Sequence, residues 1–408
     1  MPPALRIPIT NVYGKGDYTA KIKIGSAGAP ANVLLDTGSS TLAINSAAYD
    51  PGSDHSMATT TYAQDIIYDT GSWTGPVVKT DIAVSAGGQP LSVNTYLAVT
   101  ADYEPGNFGD ADGVIGLAFN DLNQAYDLFS FLADIGRSVT YPWPFKIRDS
   151  RIAIKEFKKF LDRLPKNDLT PYFSAMTQQG NLITRSIFAF YTHRSAISMG
   201  TNNPPTDPLN QGLFILGEGP QHTDLYSGNF TDVKVVHDMW YNTNLLAIQV
   251  AGGPQTAVKQ LDMQNAKTNV SNSIIDSGAA AMMLAPDVYD AVMSSLRAFN
   301  PALANIATQA QQNVIPVANL NLGDWPDITF LLADKNNNPV PLSCSPATYW
   351  QFDAPQAGQA IFQMLNSNGV QSILGLPLLN NYYTVFDREN DPYGIVRFAK
   401  ISPPGILV

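Results

Sequence analysis

The sequence predicts a mostly β protein built from two related halves. Charged residues make up only 14% of the 408 residues, and the chain contains 30 glycines and 29 prolines. This composition favours many short strands joined by turns over long solvated helices. A chain of 408 residues also exceeds what one hydrophobic core usually supports, so we expect two domains. A repeated strand-and-turn motif indicates that the halves are related by duplication.

The repeated motif is an apolar run that ends in an aspartate and continues into a turn of small residues. Asp36, before Thr-Gly, ends the first run, and Asp276, before Ser-Gly, ends the second. Each copy reads as a buried strand that delivers a carboxylate to a tight turn. Each is followed at a distance by an apolar-apolar-Gly segment, which ends at Gly116 and at Gly375. A single Asp-Thr-Gly is weak evidence, because these residues are common in turns. Two copies, each followed by an apolar-apolar-Gly segment, are much more specific.

With these motifs the chain resembles the pepsin-like aspartic peptidases, in particular their disulfide-free bacterial-type members. The resemblance implies two β-barrel-like lobes with a cleft between them and one aspartate from each lobe at its floor. We expect an N-terminal lobe over residues 1–220 that carries Asp36, and a C-terminal lobe over 221–408 that carries Asp276. Further stretches that fit the family are residues 67–72, 169–173, 214–217, 325–330 and 382–387.

In the first half, the predicted elements follow from periodicity and turn residues. Residues 17–25 alternate apolar and polar, as a half-buried strand does, and the acid-bearing strand follows. Residues 62–85 read as a hairpin with its turn at residues 69–72. In the family this hairpin is the flap over the substrate, and its Tyr, here Tyr68, lines the pocket; we call residues 62–85 the flap hairpin.

Three positions depart from the family pattern. Asp69 stands where a Gly commonly follows the flap Tyr, and Ala43 stands where the family commonly has a Trp that hydrogen-bonds that Tyr. Trp73, from within the hairpin, is a candidate substitute. In the second half, Ala279 stands where the family often has Ser or Thr beside the second acid.

Residues about 120–168 read as a helical insertion in the first lobe. Phe157, Phe160, Leu161 and Leu164 fall on one helical face. We favour a solvated helix packed by this face, because charge runs are usually solvated surfaces. The alternative is a basic helix that restricts the cleft, so that salt, or replacement of its lysines by Gln, would raise activity. The basic residues are Lys146, Arg148, Arg151, Lys155, Lys158, Lys159, Arg163 and Lys166.

Strands and short helices are predicted for the rest of the chain. Residues 186–191 and 213–217 read as strands. Residues 286–299 read as a helix that begins at Pro-Asp, and residues 301–312 as a second helix capped by Asn300. The chain remains rich in strand signals up to its C-terminal part.

The two aspartates suit the hydrolysis of a peptide bond. Two carboxylates within hydrogen-bond reach do not both ionise easily, so one keeps a proton, as in pepsin. The ionised member takes a proton from water while the protonated member donates to the scissile carbonyl oxygen. We therefore predict Asp36 and Asp276 as the catalytic pair. Which of them holds the proton is left open, because coupled groups titrate as a pair.

The family resemblance assigns roles to the residues around the acids. Gly38 and Gly278 are expected to offer backbone N–H groups beside the acids, and Ser39 to donate to Asp36. Thr37 and Ser277 are expected to brace the two turns. The predicted substrate-binding residues are Gly38, Tyr68, Asp69, Thr70, Phe108, Gly278 and Met283, and large apolar residues are expected on either side of the cut.

Other function classes lack their signatures in this sequence. The four histidines show no metal-ligand spacing, and no Gly-rich phosphate loop is present, so we predict no metal and no cofactor. A net charge of −10 disfavours nucleic-acid binding, and no apolar run is long enough to span a membrane. Cys344 is the only cysteine, and no signal-peptide pattern is seen, which favours a cytoplasmic over a secreted location. We expect a monomer.

Two functions remain after the sequence reading. The leading one is an aspartic endopeptidase that acts on peptides or unfolded proteins. The alternative is a catalytically silent protein of the same fold that binds peptide or protein through the cleft. Ala43, Asp69 and Ala279 favour the alternative, whereas the two acids with their glycines and the flap Tyr favour the enzyme.

Overall fold

Short strands dominate the computed structural model, which describes residues 5–68, 71–86, 89–103, 107–145, 151–179, 183–390 and 392–403. In chain order the strands of this part are β1 (Leu5–Gly14), β2 (Asp17–Ile24), β3 (Ala29–Asp36), β4 (Leu42–Asn45), β5 (Ala58–Tyr68), β6 (Gly71–Ala86), β7 (Gln89–Thr100), β8 (Asp102–Tyr103), β9 (Gly113–Gly116), β10 (Gln124–Asp127), β11 (Lys166–Asp168), β12 (Ile187–Tyr191), β13 (Gln211–Leu216), β14 (Tyr226–Lys234), β15 (Asn242–Thr243), β16 (Leu245–Val250), β17 (Thr256–Ala257), β18 (Ser273–Ile275), β19 (Met282–Leu284), β20 (Ile315–Pro316), β21 (Ile328–Ala333), β22 (Pro339–Cys344), β23 (Trp350–Phe352), β24 (Gln359–Phe362), β25 (Met364–Asn366), β26 (Ser372–Leu374), β27 (Tyr382–Asp387) and β28 (Ile395–Ile401).

Helices are short and lie between the strands. They are α1 (Phe129–Asp134), α2 (Arg151–Leu161), α3 (Tyr172–Gln178), α4 (Met263–Asn269), α5 (Pro286–Phe299), α6 (Pro301–Ala310), α7 (Pro346–Tyr349) and α8 (Leu376–Leu379). The predicted fold class, mostly β with a few short helices and a helical insertion, is confirmed.

The chain divides into two compact units. Unit one is Thr19–Thr184, and unit two combines Pro3–Tyr18 with Arg185–Val408. These units differ from the predicted lobes at 220/221, because residues 187–216 pair within unit two. Strand β12 pairs with β27 near the C-terminus, and β13 pairs with β1. The division into lobes at 220/221 stays a prediction from the family resemblance.

Unit one contains a closed ring of strands. The order β6-β7-β4-β9-β3-β2 returns to its start because β2 also pairs with β6. The core inside includes Ala43, Trp73, Val77 and Phe108, all buried. The flap hairpin is formed by β5 and β6, which pair up to Tyr68 opposite Gly71. The ring carries the first acid at the end of β3.

The predicted insertion forms a separate layer on unit one. Strand β10 pairs with β11 and, at Tyr126 and Asp127, with β5. Helix α2 packs its apolar face into a cluster with α1, as the sequence predicts. Leu164 is a correction, because α2 ends at Leu161 and residues 162–164 form a tightened turn, in which Leu164 N–H donates to Leu161 O at 2.9 Å. Lys146 and Arg148 lie outside the described residues.

Unit two contains an antiparallel sheet of six strands in the order β1-β13-β12-β27-β28-β14. Its faces are rich in aromatic rings, with Phe188 stacked on Phe386 at a centroid distance of 4.9 Å. Three smaller sheets complete the unit, in the orders β15-β18-β26-β19-β25, β17-β16-β21-β22 and β20-β24-β23. The first of these carries the second acid after β18.

Both helices predicted in the second half are confirmed. Helix α5 covers Pro286–Phe299 and buries Val288, Val292 and Leu296 along one side. Helix α6 begins at Pro301, where the side chain of Asn300 accepts from Ala302 N–H at 3.0 Å, and ends two residues before the predicted Gln312. Proline suits the first helical position because its missing N–H would have no partner there.

Candidate active site

The first acid lies at the end of β3 in unit one. Val33 and Leu35 are fully buried, so the strand is held by its apolar residues, and Asp36 follows them, partly exposed. Its Oδ1 accepts from Gly38 N–H at 2.7 Å, and its Oδ2 accepts from Ser39 Oγ. The family resemblance implies this Ser39 contact. Both carboxylate oxygens of Asp36 therefore receive a donor from its own turn.

The first apolar-apolar-Gly segment ends at Gly116, where the structure leaves no room for a side chain. Strand β9 runs parallel to β3, with Asp36 opposite Gly116, and antiparallel to β4. The acid turn therefore crosses directly over Gly116. A Cβ atom at this position would lie 2.4 Å from the backbone of Ser40, so the crossing requires glycine. Beyond the crossing, Leu117 N–H donates to Asp36 O at 2.6 Å.

The second acid is built in the same way in unit two. Asp276 follows β18, is 9% exposed, and its Oδ1 accepts from Gly278 N–H at 2.8 Å. Strand β18 is parallel to β26, and β26 is antiparallel to β19. A Cβ atom at Gly375 would lie 2.3 Å from Ala279 O, so this crossing also requires glycine. The duplication inferred from the sequence thus extends to strand pairing, carboxylate contact and crossing glycine.

The side-chain support of the second acid differs from that of the first. Ala279 occupies the place that corresponds to Ser39 and has no hydroxyl to donate. The short strand β18 is held from its N-terminal side by Asn272, whose side chain accepts from Leu245 N–H at 2.8 Å and donates to Leu245 O at 2.8 Å and to Lys259 O at 3.2 Å. The repeated motif alone does not single out Asn272. Its place four residues before the acid, where Asn32 stands in the first copy, is the signal that was available.

The other predicted residues lie in various environments. Thr37 and Ser277 are buried in their turns, with exposures of 0% and 1%. Met283 is half-buried on β19, where it pairs with Ile373. Phe108 is only 2% exposed and packs in the core of unit one, so its burial favours a core role. The substrate-binding roles of Met283 and Phe108 stay predictions.

The flap hairpin is described only in part. Asp69 and Thr70 lie outside the described residues, and Tyr68 is described only as the last residue of β5. Trp73 is fully buried beside Ala43 in one core cluster. Its indole N–H has no hydrogen-bond partner among the described residues, and its role as a substitute partner of Tyr68 stays a prediction.

Other reactive groups in the described part of the chain support no competing chemistry. No cluster of three His, Cys, Asp or Glu residues there could hold a metal ion. Burial raises the pKa of the Cys344 thiol to about 12, so it stays protonated. No helix among the described residues is both long enough and apolar enough to cross a membrane.

Comparison with known proteins identifies the family. A family model described as eukaryotic aspartyl protease matches residues 17–135 and 161–400. The chain belongs to this family. It is 23% identical over 411 residues to "Pepsin A" of Sus scrofa, which covers 96% of this chain and 84% of that protein. It is 21% identical over 414 residues to "Beta-secretase" of Strongylocentrotus purpuratus, covering 95% of this chain and 67% of that protein. Over 129 residues, 29% of this chain and 32% of that protein, it is 30% identical to "Rhizopuspepsin-5" of Rhizopus niveus.

The family match also bears on the insertion. Residues 136–160, between the two matched segments, are not matched by the family model. They include most of α2, and the predicted insertion over about 120–168 encloses them. The helix is therefore an addition to what the family shares.

Proposed function

We propose that this chain is an active aspartic endopeptidase in which Asp36 and Asp276 together activate one water molecule. The observation that carries the proposal is the matched construction of the two acid turns. In each turn a glycine N–H fixes Oδ1 of the carboxylate, at 2.7 Å for Asp36 and at 2.8 Å for Asp276. Membership of the aspartyl protease family supports the same reaction class.

The proposed reaction uses only the two carboxyl groups and water. The ionised carboxylate takes one proton from water as the water oxygen bonds to the scissile carbonyl carbon, and the protonated carboxyl gives its proton to the carbonyl oxygen. The carbon–nitrogen bond then breaks as the neutral carboxyl gives its proton to the nitrogen, while the charged carboxylate takes a proton from one hydroxyl of the tetrahedral intermediate, which becomes the carboxylic acid product. This sequence regenerates one charged and one neutral carboxyl group. The mechanism needs no covalent intermediate with the protein.

The substrate in this proposal is an extended peptide or unfolded protein. Large apolar residues beside the cut are proposed because Tyr68 and Met283 are candidate pocket walls, whereas Phe108, also predicted as a wall, is buried in the core of unit one. A monomeric state, a cytoplasmic location and the absence of nucleic-acid binding stay predictions from composition and the single cysteine.

A silent binding protein of the same fold is the second candidate. Ala279 favours it, because Asp276 lacks the hydroxyl that Asp36 receives from Ser39. The silent protein and the enzyme make different predictions. The silent protein would bind a peptide-like inhibitor that has a hydroxyl on a tetrahedral carbon in place of the scissile carbonyl, but it would cut no peptide bond.

The test is incubation with an unfolded protein between pH 3 and pH 7, with and without such a tetrahedral mimic, followed by mass spectrometry of the fragments. The enzyme predicts new fragments that disappear in the presence of the mimic. Intact substrate at every pH, together with saturable binding of the mimic, would establish the silent alternative.

A further inference from the structure

The outer face of flap strand β5 is covered by the insertion. Successive side chains of a strand point to opposite faces. Gln64 and Ile66 face inward, where Ile66 packs against the core that contains Trp73. Ala63 and Asp65 lie on the other face. Ala63 is fully buried there by the insertion.

Helix α2 supplies most of this cover. Its Phe157 and Leu161 are in one cluster with Ala63 and with Leu128 and Leu132 from the region of α1. Aromatic rings continue the cluster, with centroid distances between 4.7 and 6.2 Å among Phe131, Trp143, Phe145, Phe157 and Phe160. The insertion is thus a packed body with its own core, which contacts β5 at Ala63.

One lysine of α2 reaches the flap strand. Lys158 Nζ lies 3.9 Å from Asp65 Oδ2, and the Asp65 side chain is only 11% exposed. Asp65 Oδ1 accepts from Thr74 Oγ1 at 2.6 Å, so the same carboxylate links β5 to β6. The neighbouring cations do not take part: Lys159 pairs with Glu156 on the helix itself, and Lys155 is exposed with no carboxylate in reach among the described residues.

Cover of this face ends within two residues of Asp65. Ile67, the next residue on that face, is 67% exposed. Asp65 is therefore the last residue on this face of β5 that the insertion contacts. On the inner face, Ala43 leaves the hairpin without the tryptophan that the family commonly places there.

We propose that Lys158 is a positioning residue for the flap hairpin, which acts through Asp65 to hold β5 and β6 against the insertion. The expected effect on KM rests on the proposed function, because it requires that the flap hairpin contributes to substrate binding. This positioning gives the basic helix a supporting role, the reverse of the sequence-based alternative in which its charges restrict the cleft. Loss of the Lys158 charge loosens the hairpin and raises KM, whereas release of a restricted cleft would lower KM.

The experiment compares Lys158→Gln with Lys155→Gln, which removes the same charge from an exposed position of the same helix. Hydrogen exchange of peptides that span β5 and β6 reports the hairpin directly, and peptide hydrolysis reports KM and kcat. We expect Lys158→Gln to speed exchange and to raise KM about two- to five-fold, the range of a partly exposed ion pair, with kcat nearly unchanged. Lys155→Gln should match the wild type, and Lys158→Arg should restore both readouts.

Asp65→Asn completes a double-mutant cycle, because the amide oxygen still accepts from Thr74. Once Asp65 is neutral, adding Lys158→Gln should change exchange and KM little further. Equal behaviour of Lys158→Gln and Lys155→Gln in both readouts would overturn the proposal, and a lower KM in Lys158→Gln would show that the helix restricts the cleft. Faster exchange in a chain that cuts no peptide would uphold the positioning role and refute the proposed peptidase activity instead.

Discussion

The two acid turns share their backbone and differ in their side chains. In both, a parallel strand pair delivers the aspartate, a glycine N–H fixes Oδ1, and a second glycine lets the turn cross a neighbouring strand. Asp36 also receives Ser39 Oγ and follows a strand held by buried apolar residues. Asp276 follows a strand of three residues braced by the amide of Asn272. The backbone geometry thus places the carboxylate, while the side chains set its acidity and its stability.

The largest effect is expected at the crossing glycines. Gly116→Ala and Gly375→Ala would each place a Cβ within 2.4 Å of backbone atoms, which only movement of the main chain can relieve. We expect each to lower the free energy of unfolding by about 3 kcal/mol or more, the upper end for overpacking, and to abolish hydrolysis. Gly323→Ala is the control, since its Cβ would meet its nearest atom at an ordinary 3.5 Å. Thermal unfolding measures all three, and a stable, active Gly116→Ala would show that the crossing tolerates a side chain.

A smaller effect on the free energy of unfolding is expected when the asparagine four residues before each acid is replaced, and it should differ between the two units. Asn272→Ala leaves the buried Leu245 N–H without its side-chain acceptor, while Leu245 C=O keeps the donor from Gln260 Nε2 at 3.1 Å, so we expect a loss of about 1–3 kcal/mol in the free energy of unfolding. Asn32→Ala, at the corresponding place in unit one, should cost well under about 1 kcal/mol, because the Asn32 side-chain oxygen has no hydrogen-bond partner among the described residues. Chemical denaturation of both variants tests the difference. Equal losses would mean that the first strand depends on its amide as well.

The repeated motif was predictable because its determinants are local. An apolar strand before Asp-Thr-Gly or Asp-Ser-Gly specifies both turns, and Pro286 with the following periodicity specifies α5, whose observed bounds match the prediction. Asn272 was not found, because its partners at Leu245 and Lys259 are distant in sequence. Long-range pairing is absent from local patterns.

The same limit explains why the predicted helical face extends too far. Leu164 fits the helical period, but α2 ends three residues earlier, since a period alone does not show where the last turn tightens. The pairing of β12 with β27 and of β13 with β1 is also absent from local patterns, and the lobe division at 220/221 stays a prediction. The flap Tyr68 and its neighbours Asp69 and Thr70 stay predictions from the family resemblance.

Adding a hydroxyl beside Asp276 and removing the one beside Asp36 should shift the pH dependence of hydrolysis in opposite directions. A hydrogen bond to a charged group is worth about 1.5–3 kcal/mol, and one pKa unit is about 1.4 kcal/mol. Ala279→Thr adds a donor to the charged form of Asp276, so its activity profile should move to lower pH by about one unit. Ser39→Ala removes the donor to Asp36 and should move the profile to higher pH. The pH dependence of kcat/KM checks both, and shifts in the same direction would contradict the role assigned to the hydroxyl.

Acid stability gives a further comparison between the two units. In unit one, burial raises the pKa of Asp54, but hydrogen bonds from Ser26 N–H and from hydroxyls including those of Thr80 and Tyr49 outweigh it and hold the pKa well below its usual range. The stabilisation is present above the usual carboxyl pKa and is lost only as the pH falls below it. In unit two, burial lowers the pKa of His193 from 6.5 to about 4. Its contribution is complete above pH 6.5 and is lost as the pH falls toward 4.

We therefore expect a shallow decline in melting temperature between pH 6.5 and pH 4 that originates in unit two. His193→Phe should flatten this decline, because the ring remains and the titration is removed. Asp54→Asn should lower stability at every pH above about 4 without changing the slope between pH 4 and pH 6.5. Calorimetry at a series of pH values distinguishes the two variants. An unchanged slope in His193→Phe would assign the acid sensitivity to other groups.

The most direct test of the account is peptide hydrolysis by Asp36→Asn and by Asp276→Asn, each compared with wild type at matched thermal stability. Each asparagine keeps an oxygen for its glycine N–H, so the turns should fold, but neither can exchange the proton that the reaction requires. If the two carboxyl groups act on one water, each variant should lose at least about a thousandfold in kcat, within the range expected for acid–base catalysis. Turnover near the wild-type rate in either variant would contradict the claim that both acids form one catalytic pair.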